Sequence, residues 1–491
     1  MNQNLKPLIL IVVVTIFCIK CSTPKNDLPK EIRQNIEKRI EYGLNGAIAI
    51  GVIDQEGVRY YNFGLRNSNG DKVNEHSIFE IGSITKTFTA TLLANQVKDG
   101  YLKTDDFVND ILPDSLNLSV IGNKQITLGH LSDHTSGLPR MPSNFSPANA
   151  NNPYADYNVT QLYDYISTYK PTREVGAAFE YSNLAVGLLG HVLSLNTGKT
   201  YADLMSEFIT LPLEMNETKI TITDEMKNNL AEGRDEFGRI TQNWDFQSLA
   251  GAGALKSSTS DMVKYISAQL KFTETSLNHA IELTHKKRHE KYPVRQGDNP
   301  IGVGLGWIIN TRQEGETYWH NGGTGGYRSY IGFNKSLQKG VIVLATGYDP
   351  SDIGAYIMHA DSLQELKRSL SIELAKRIDQ QGIEKAGTFF ENEVINNLEE
   401  FIYGSYPLNR LGYSYLNEDN FDASLAVFEI NIKLFPDSWN VYESYGEALR
   451  KIGKLNESLE SYQKSVKLNP QNQNGINAIM ELEEKLEVGQ E

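Results

Sequence analysis

Cysteine is nearly absent from this sequence, and long apolar runs are missing as well. The chain has 491 residues and two cysteines, Cys18 and Cys21, both close to the N-terminus. The remainder of the chain therefore cannot form a disulfide framework. The apolar run over residues 8–19 is about 12 residues long, well short of the roughly 20 residues that a membrane-spanning helix needs.

The N-terminal segment instead has the features of a targeting signal. Lys6 precedes the apolar run, and this order is typical of a signal peptide, which we predict over residues 1–21. Cys21 and the residues after it resemble a bacterial lipoprotein acylation site, although Lys20 stands where a small residue is usual. The alternatives to lipidation are a plain secretory signal and an uncleaved anchor. We therefore expect an exported protein, either periplasmic or anchored to a membrane and facing away from the cytoplasm.

Positive charge is scarce. Lys and Arg number 47 against 61 Asp and Glu, which gives a formal net charge of −14. Repulsion between this charge and phosphate groups argues against a nucleic-acid partner. The composition, 40% hydrophobic and 22% charged, is that of a globular protein. Because the chain is too long for one ordinary domain, we expect two folded units and a connector.

The first unit, residues 31–377, mixes strand and helix patterns. Residues 46–53 and 57–64 predict a β-hairpin. Strands at both ends with helices between them indicate an α/β (α+β) sandwich, in which one antiparallel sheet carries a helical lobe. A substrate would bind in the cleft between sheet and lobe. Later strands are predicted over residues 304–310, 317–320, 327–333 and 340–346, and helices over residues 86–98, 183–195 and 259–270.

The second unit, residues 401–488, is a repeat. Gly412 and Gly446 are 34 residues apart, as are Pro436 and Pro470. This period, with a small residue in the first helix and an aromatic in the second, resembles the tetratricopeptide repeat. We predict an all-α repeat domain with a capping helix over residues 472–488, joined through a connector over residues 378–400. Since such arrays usually need three units, residues 379–400 would add a helix, or the array would lean on the first domain. The repeats would suit a protein partner.

Ser83 begins the most informative of three short motifs. Gly82 precedes it and a strong helical pattern follows, so Ser83 is predicted at a helix N-terminus, which favours a developing negative charge. The spacing places Lys86 on the same helix face, where it would stabilise an alkoxide or, if desolvated, accept the serine proton. The alternative is a capping serine beside a solvated lysine. Ser-x-x-Lys alone is weak evidence, since it also begins at Ser22, Ser167, Ser336 and Ser461.

The second motif is Tyr181-Ser182-Asn183. A tyrosine hydroxyl has a pKa near 10, so Tyr181 would need a nearby cation such as Lys86 to act as a base. Asn183 offers both a donor and an acceptor to a substrate amide. The alternative is a buried structural tyrosine with Asn183 as the helix cap.

The third motif is the glycine-rich stretch that begins at His320. Glycines at a strand edge, including Gly322 and Gly323, allow a ligand to approach the backbone closely. The N–H groups of Gly323 and Ser83 would form an oxyanion hole. A plain hairpin loop with a structural histidine is the alternative.

Together these motifs resemble those of the serine hydrolase family of class C β-lactamases, D-alanyl-D-alanine carboxypeptidases and related esterases. Two further stretches, residues 130–139 and 249–262, are similar to that family. The resemblance implies that Ser83 is the acylated nucleophile, that Lys86 and Tyr181 share proton transfer, and that His320 borders the oxyanion strand. His130 and His134 are spaced like a metal pair, but no third ligand is evident, so we expect neither metal nor cofactor.

One departure from the family bears on the substrate. Class C β-lactamases carry Lys-Thr-Gly where this chain has His320-Asn321-Gly322. A histidine with a pKa near 6.5 would be a weaker, pH-dependent cation for a substrate carboxylate. We therefore expect an exported serine hydrolase acting on D-amino-acid peptides or small esters, with β-lactamase as the first alternative. An interaction protein with a weakly active hydrolase domain is the alternative from another class.

Overall fold

A computed structural model describes residues 27–288, 294–296 and 299–488 of the chain. The predicted signal over residues 1–21, with Cys21, lies outside the described residues. Among the described helices, none combines the length and the apolar character needed to cross a membrane.

An antiparallel sheet of eight strands is the centre of the N-terminal part. The described strands are β1 Asn45–Asp54, β2 Gly57–Gly64, β3 Phe79–Glu80, β4 Lys256–Ser257, β5 Val294–Gln296, β6 Asn299–Val303, β7 Ile308–Arg312, β8 Gly315–Gly323, β9 Tyr327–Asn334, β10 Lys339–Gly347, β11 Arg368–Ser369 and β12 Phe401–Ile402. Eight of these strands form the large sheet, in the order β2-β1-β10-β9-β8-β7-β6-β5. The N-terminal hairpin joins the sheet through the pairing of β1 with β10, in which Ile50 lies opposite Val343. The prediction of one sheet shared by both ends of the domain is confirmed.

The described helices surround this sheet and continue beyond it. They are α1 Lys30–Glu41, α2 Thr85–Lys98, α3 Leu128–Ser132, α4 Val159–Thr168, α5 Asn183–Thr197, α6 Tyr201–Met205, α7 Asp224–Lys227, α8 Thr259–Gln269, α9 Asn278–Thr284, α10 Ser351–His359, α11 Leu370–Gln381, α12 Ile383–Phe389, α13 Ser405–Asn417, α14 Phe421–Leu434, α15 Trp439–Lys451, α16 Leu455–Leu468 and α17 Gln473–Val488. Several begin where the sequence offers a side-chain cap, as Ser258 does for α8.

Two apolar layers lie on opposite faces of the sheet. One contains Ile36 of α1 and Ile353 of α10, which belong to the same buried cluster as β1 side chains on that face of the sheet, such as Ile50. The other, larger layer contains Phe88 of α2 and Tyr265 of α8, whose rings are stacked with centroids 4.0 Å apart. Alternating β1 residues enter the two layers, as the two-residue period of a strand requires. The larger layer carries the elements of the candidate site.

One predicted strand is wrong in its extent. The sequence predicts a strand over residues 304–310, but β7 begins only at Ile308. Gly306 has a left-handed φ of +68°, and a Cβ there would be 2.7 Å from the carbonyl oxygen of Lys86. The chain therefore bends at Gly306 to pass close against α2, a tertiary contact that strand periodicity does not reveal.

Among the C-terminal helices, α13 pairs with α14 and α15 pairs with α16, and α17 follows as a single helix. A Cβ on Gly412 would be 2.6 Å from the ring of Phe428, and one on Gly446 would be 3.0 Å from the ring of Tyr462. The two glycines of the 34-residue repeat therefore admit the aromatic ring of the second helix in each pair. The segment over residues 378–400 is largely helical, and Phe389 of α12 shares an apolar core with Leu408 of α13.

A loop of the N-terminal part docks on these helices. Phe237 is buried in the core formed by α11 to α14. The Arg239 guanidinium donates to both carboxylate oxygens of Asp379, at 2.8 and 3.1 Å, and lies 4.3 Å from the ring centre of Tyr415. The two parts of the chain are therefore joined by an apolar anchor and a bidentate ion pair.

Candidate active site

Ser83 lies in a tight turn between a short strand and a long helix. The strand β3 ends at Glu80, the 3₁₀ turn Gly82–Ile84 follows, and α2 begins at Thr85. Gly82 has a left-handed φ of +50°, and a Cβ there would be 2.7 Å from the backbone nitrogen of Gly323. Glycine is therefore required both by the backbone conformation and by the approach of β8. The predicted helix N-terminus is confirmed, with Ser83 in the 3₁₀ turn two residues before Thr85, the first residue of α2.

Lys86 is fully buried beside this serine. Its Nζ lies 3.0 Å from the Ser83 Oγ and donates a hydrogen bond to the carbonyl oxygen of Ala252 at 2.7 Å. Burial, and secondarily the charge of Arg140, lowers the pKa of the Lys86 amine well below its ordinary value. A neutral amine keeps a lone pair, so Lys86 can accept the serine proton while it still donates to Ala252.

Tyr181 faces the same serine. The Lys86 Nζ lies 4.9 Å from the centre of the Tyr181 ring. Burial raises the pKa of the Tyr181 hydroxyl above its ordinary value, and its hydrogen bond with Ser83 and the charge of Arg140 oppose that rise only in part. Tyr181 is therefore a neutral phenol near pH 7, able to donate or relay a proton but not to serve as a standing base.

Asn183 is the first residue of α5, and its side-chain amide lies beside Tyr154 and Met141. Its Nδ2 donates to the Tyr154 hydroxyl at 3.0 Å, while its buried Oδ1 has no hydrogen-bond partner among the described residues. The alternative that Asn183 caps the helix is wrong. Ser182 is the cap: its hydroxyl accepts from the Ala185 N–H at 2.9 Å and donates to the Pro139 carbonyl at 2.6 Å.

His320 is buried on β8, across the site from Tyr181. The two ring centres are 6.1 Å apart, and the His320 Nδ1 lies 2.5 Å from the Asn321 carbonyl oxygen. A carbonyl only accepts, so Nδ1 carries the proton and Nε2 is free of one. Burial, with a smaller contribution from Lys86, lowers the pKa of His320 to about 3. The expectation of a pH-dependent cation near neutrality is therefore wrong for this residue, because desolvation keeps the ring neutral.

The two glycines of the third motif serve close backbone packing. A Cβ on Gly322 would be 2.1 Å from the Ile81 carbonyl oxygen, so only glycine lets β8 approach the turn before Ser83. A Cβ on Gly323 would meet the Arg328 side chain at 3.3 Å, while the Gly323 backbone lies against Gly82. The backbone of Gly82, the residue before Ser83, thus lies against that of Gly323; the N–H groups of Ser83 and Gly323 are the predicted oxyanion donors.

Sequence reasoning assigned no role to Arg140 or His134, which the fold adds to the site. The Arg140 guanidinium lies 5.2 Å from the Tyr181 ring centre, and the His134 ring lies 4.6 Å from it. The His134 Nδ1 accepts from the Ser182 N–H at 3.1 Å, and burial lowers the pKa of the His134 ring to about 3. Their position in the sequence could have indicated a role, because both residues lie in or directly after the stretch over residues 130–139 that is similar to the family.

A buried carboxyl supports the glycine-rich loop and the serine turn together. Glu80 accepts from the Asn243 amide at 2.9 Å and from the Trp244 N–H at 2.7 Å. Burial raises the pKa of Glu80 above its ordinary value. In the same loop, the Arg234 N–H donates to the Gly326 carbonyl at 3.0 Å. The segment from Arg234 to Trp244 therefore touches both flanks of the site.

A serine hydroxyl beside a buried amine of lowered pKa, with a phenol and a glycine-rich strand nearby, is the arrangement of an acyl-transferring serine hydrolase. Comparison with known proteins agrees: residues 32–363 match the Beta-lactamase family. The chain belongs to this family and is a serine hydrolase. Residues 440–472 match the tetratricopeptide repeat, so the predicted repeat is confirmed.

Individual relatives have different activities. A β-lactamase of Pseudomonas fluorescens is 26% identical over 67% of this chain and 98% of its own length. The D-alanyl-D-alanine-carboxypeptidase/endopeptidase AmpH of Escherichia coli is 26% identical over 70% of this chain and 90% of its own. A solved structure described as a β-lactamase/D-alanine carboxypeptidase from Pseudomonas syringae has a TM-score of 0.58 at 21% identity, covering 67% of this chain and 98% of that one. The β-lactamase-like fold expected from the sequence is thereby confirmed.

Proposed function

We propose that this chain is an exported serine hydrolase in which Ser83 forms an acyl-enzyme with an amide or ester substrate. The observation that carries the proposal is the 3.0 Å contact between the Ser83 hydroxyl and the buried amine of Lys86. A lysine held neutral by desolvation activates a serine that would otherwise be a weak nucleophile. Export rests on the signal predicted over residues 1–21, and Cys21 would carry a lipid anchor.

The reaction follows from the positions of these groups. The Ser83 Oγ attacks the substrate carbonyl carbon as the Lys86 Nζ takes the hydroxyl proton. The carbonyl electrons move to oxygen, which the N–H groups of Ser83 and Gly323 stabilise. When the bond to the leaving group breaks, the proton passes from Lys86 through Tyr181 to the leaving nitrogen or oxygen. Water then adds to the acyl carbon and releases the acid, restoring the Ser83 hydroxyl.

D-amino-acid peptides of the peptidoglycan type, or small esters, are the proposed substrates. The carboxypeptidase/endopeptidase among the relatives supports the peptide, and His320 in place of a permanent cation counts against efficient β-lactam turnover. β-Lactams are the second candidate, supported by the relatives named β-lactamases. The matched repeat supports an additional protein partner at the C-terminal helices.

Covalent labelling tests the nucleophile directly. We expect a fluorophosphonate probe and a labelled penicillin to modify the wild-type protein and to leave Ser83→Ala unmodified. Ser336→Ala is the matched control, since Ser336 also leads a Ser-x-x-Lys but lies in the turn between β9 and β10. Labelling that survives in Ser83→Ala would refute the assignment. Absence of labelling in the wild type would favour the interaction protein.

A substrate panel then separates the candidates. Wild type and Ser83→Ala are each given a D-Ala-D-Ala peptide, a nitrophenyl ester and a chromogenic cephalosporin. We expect the wild type alone to turn over the peptide or the ester, with the cephalosporin the slowest. If the cephalosporin is hydrolysed fastest, the protein is a β-lactamase and the peptidase or esterase proposal is wrong.

A further inference from the structure

Burial disfavours charge on the side chains around Ser83. Burial lowers the pKa values of Lys86, His134 and His320 and raises that of Tyr181, so each favours its neutral form. These side chains are therefore unfavourable places for the positive charge that a negatively charged substrate would need. Any positive charge available to it must come from the rim of the site.

Arg140 is the cation at that rim. Its guanidinium lies 5.2 Å from the Tyr181 ring centre and its side chain is exposed. No carboxylate lies within ion-pair distance of it in the part of the chain that the structure describes, although the protein carries 61 acidic residues. An arginine left unpaired in so acidic a chain retains its full capacity for an external anion.

The backbone of Arg140 is fixed. Its carbonyl oxygen accepts from the N–H groups of Asn183 and Leu184, at 3.0 and 3.2 Å, at the start of α5. The preceding carbonyl, of Pro139, accepts from the Ser182 hydroxyl at 2.6 Å. These bonds anchor the backbone from which the Arg140 side chain extends beside Tyr181 and the Asn183 amide, whose Oδ1 has no hydrogen-bond partner among the described residues.

A second arginine near the site is already engaged. The Arg328 guanidinium donates through Nη1 to the carbonyl oxygens of Thr324 and Tyr327, at 2.5 and 2.8 Å. These bonds hold the turn after β8. Arg328 thus stabilises the glycine-rich loop, whereas Arg140 makes no such bond among the described residues.

We propose that Arg140 is the specificity-determining residue that binds a carboxylate of the substrate as the substrate lies over Tyr181 and Asn183. The proposal rests on the proposed acyl-enzyme function and narrows it to substrates that carry an anionic group. A planar guanidinium forms two parallel hydrogen bonds to a carboxylate, which gives orientation as well as affinity.

Matched substrate pairs test this proposal. An acyl-D-Ala-D-Ala peptide is compared with its C-terminal amide, and a nitrophenyl hemiglutarate with nitrophenyl butyrate. The variants are Arg140→Gln, Arg140→Lys and Arg140→Glu, with Arg33→Gln on α1 as the control. We expect Arg140→Gln to lower kcat/KM about tenfold to a hundredfold for the anionic member of a pair, mainly through KM, and to change the neutral member less than about threefold.

The other variants sharpen the result. Arg140→Lys should restore part of the preference for the anion and Arg140→Glu should reverse it, while Arg33→Gln matches wild type. An equal loss on both members of each pair would mean that Arg140 only positions Tyr181 and would overturn the proposal. The proposal would also be overturned if Arg140→Gln kept the wild-type preference for the anionic substrate. It would likewise be overturned if Arg328→Gln lost that preference and Arg140→Gln did not.

Labelling of Ser83 separates this proposal from the one it rests on. A neutral fluorophosphonate should label Arg140→Gln at the wild-type rate, whereas benzylpenicillin, which carries a carboxylate, should label it more slowly. If both probes label Arg140→Gln equally slowly, the proposed role of Arg140 is contradicted but the acyl-enzyme is not. Failure of both probes on the wild type contradicts the acyl-enzyme itself.

Discussion

At the residue scale, Lys86 decides the chemistry. Its amine is fully buried, bonded to a backbone carbonyl and 3.0 Å from Ser83, with no acid paired to it among the described residues. Desolvation without a counter-charge favours the neutral form, and the neutral form is the one that can take a proton.

This environment predicts the pH dependence of turnover. Protonation of Lys86 removes the base, so kcat/KM should fall as pH falls through the lowered pKa of that amine. His320, with its pKa lowered to about 3, should add no limb near its ordinary value. The measurement is kcat/KM over about pH 4 to 9 for the wild type and His320→Asn. A limb near pH 6.5 that vanishes in His320→Asn would contradict it.

The sequence predicted Ser83 and Lys86 because they are three residues apart where a strong helical pattern begins. Tyr181 and His320 were found because each belongs to a short motif. Arg140 was missed because its role depends on where its loop packs relative to Tyr181, some 40 positions later, and no local pattern encodes that contact. The neutral state of His320 was missed for a similar reason, since burial is a property of the assembled site.

At the element scale, the serine turn depends on close contact between two backbones. Gly82 combines a left-handed φ of +50° with a Cβ position 2.7 Å from the Gly323 nitrogen. Gly198, at the end of α5, has a φ of +69° but no atom within 4 Å of its Cβ position. An alanine at Gly198 would therefore meet only the cost of the left-handed backbone conformation, whereas one at Gly82 would also meet a steric clash.

We expect Gly82→Ala to lose at least about tenfold in kcat/KM, because β8 must move away from Ser83 and with it the oxyanion donors. Gly198→Ala should lose about 1 kcal/mol of stability from the left-handed conformation and keep its activity. Steady-state kinetics and urea unfolding on both variants check this. Full activity in Gly82→Ala would show that the contact is not needed for catalysis.

The elements themselves were largely predictable. The hairpin β1–β2 and helices α2, α5 and α8 were found from periodicity and boundary residues, with limits correct to within one or two positions. The bend at Gly306 was not predicted, because it results from a tertiary contact with α2 and not from a local conformational preference. The short strand pair β3–β4, two residues each, is too brief for any period to appear.

At the scale of the whole molecule, Phe237 joins the hydrolase part to the C-terminal helices. Truncating an aromatic side chain in a closed core typically costs about 3 to 5 kcal/mol. We expect Phe237→Ala to lower the free energy of unfolding by about that amount, measured by urea titration. Tyr101→Ala is the control, since that ring is 74% exposed, and it should change stability by less than about 0.5 kcal/mol. Equal effects in the two variants would show that the anchor carries no stability.

The pairing of β1 with β10 also sets the order in which this protein can be completed during synthesis. Gly46 at the start of the sheet bonds to Thr346, 300 residues later in the chain. At a translation rate of about 5 to 20 residues per second, the inner edge of β1 waits roughly 15 to 60 s for its partner strand. The hairpin that is made first thus exposes an open edge for most of synthesis, and a chaperone that shields residues 45–54 would act in that interval.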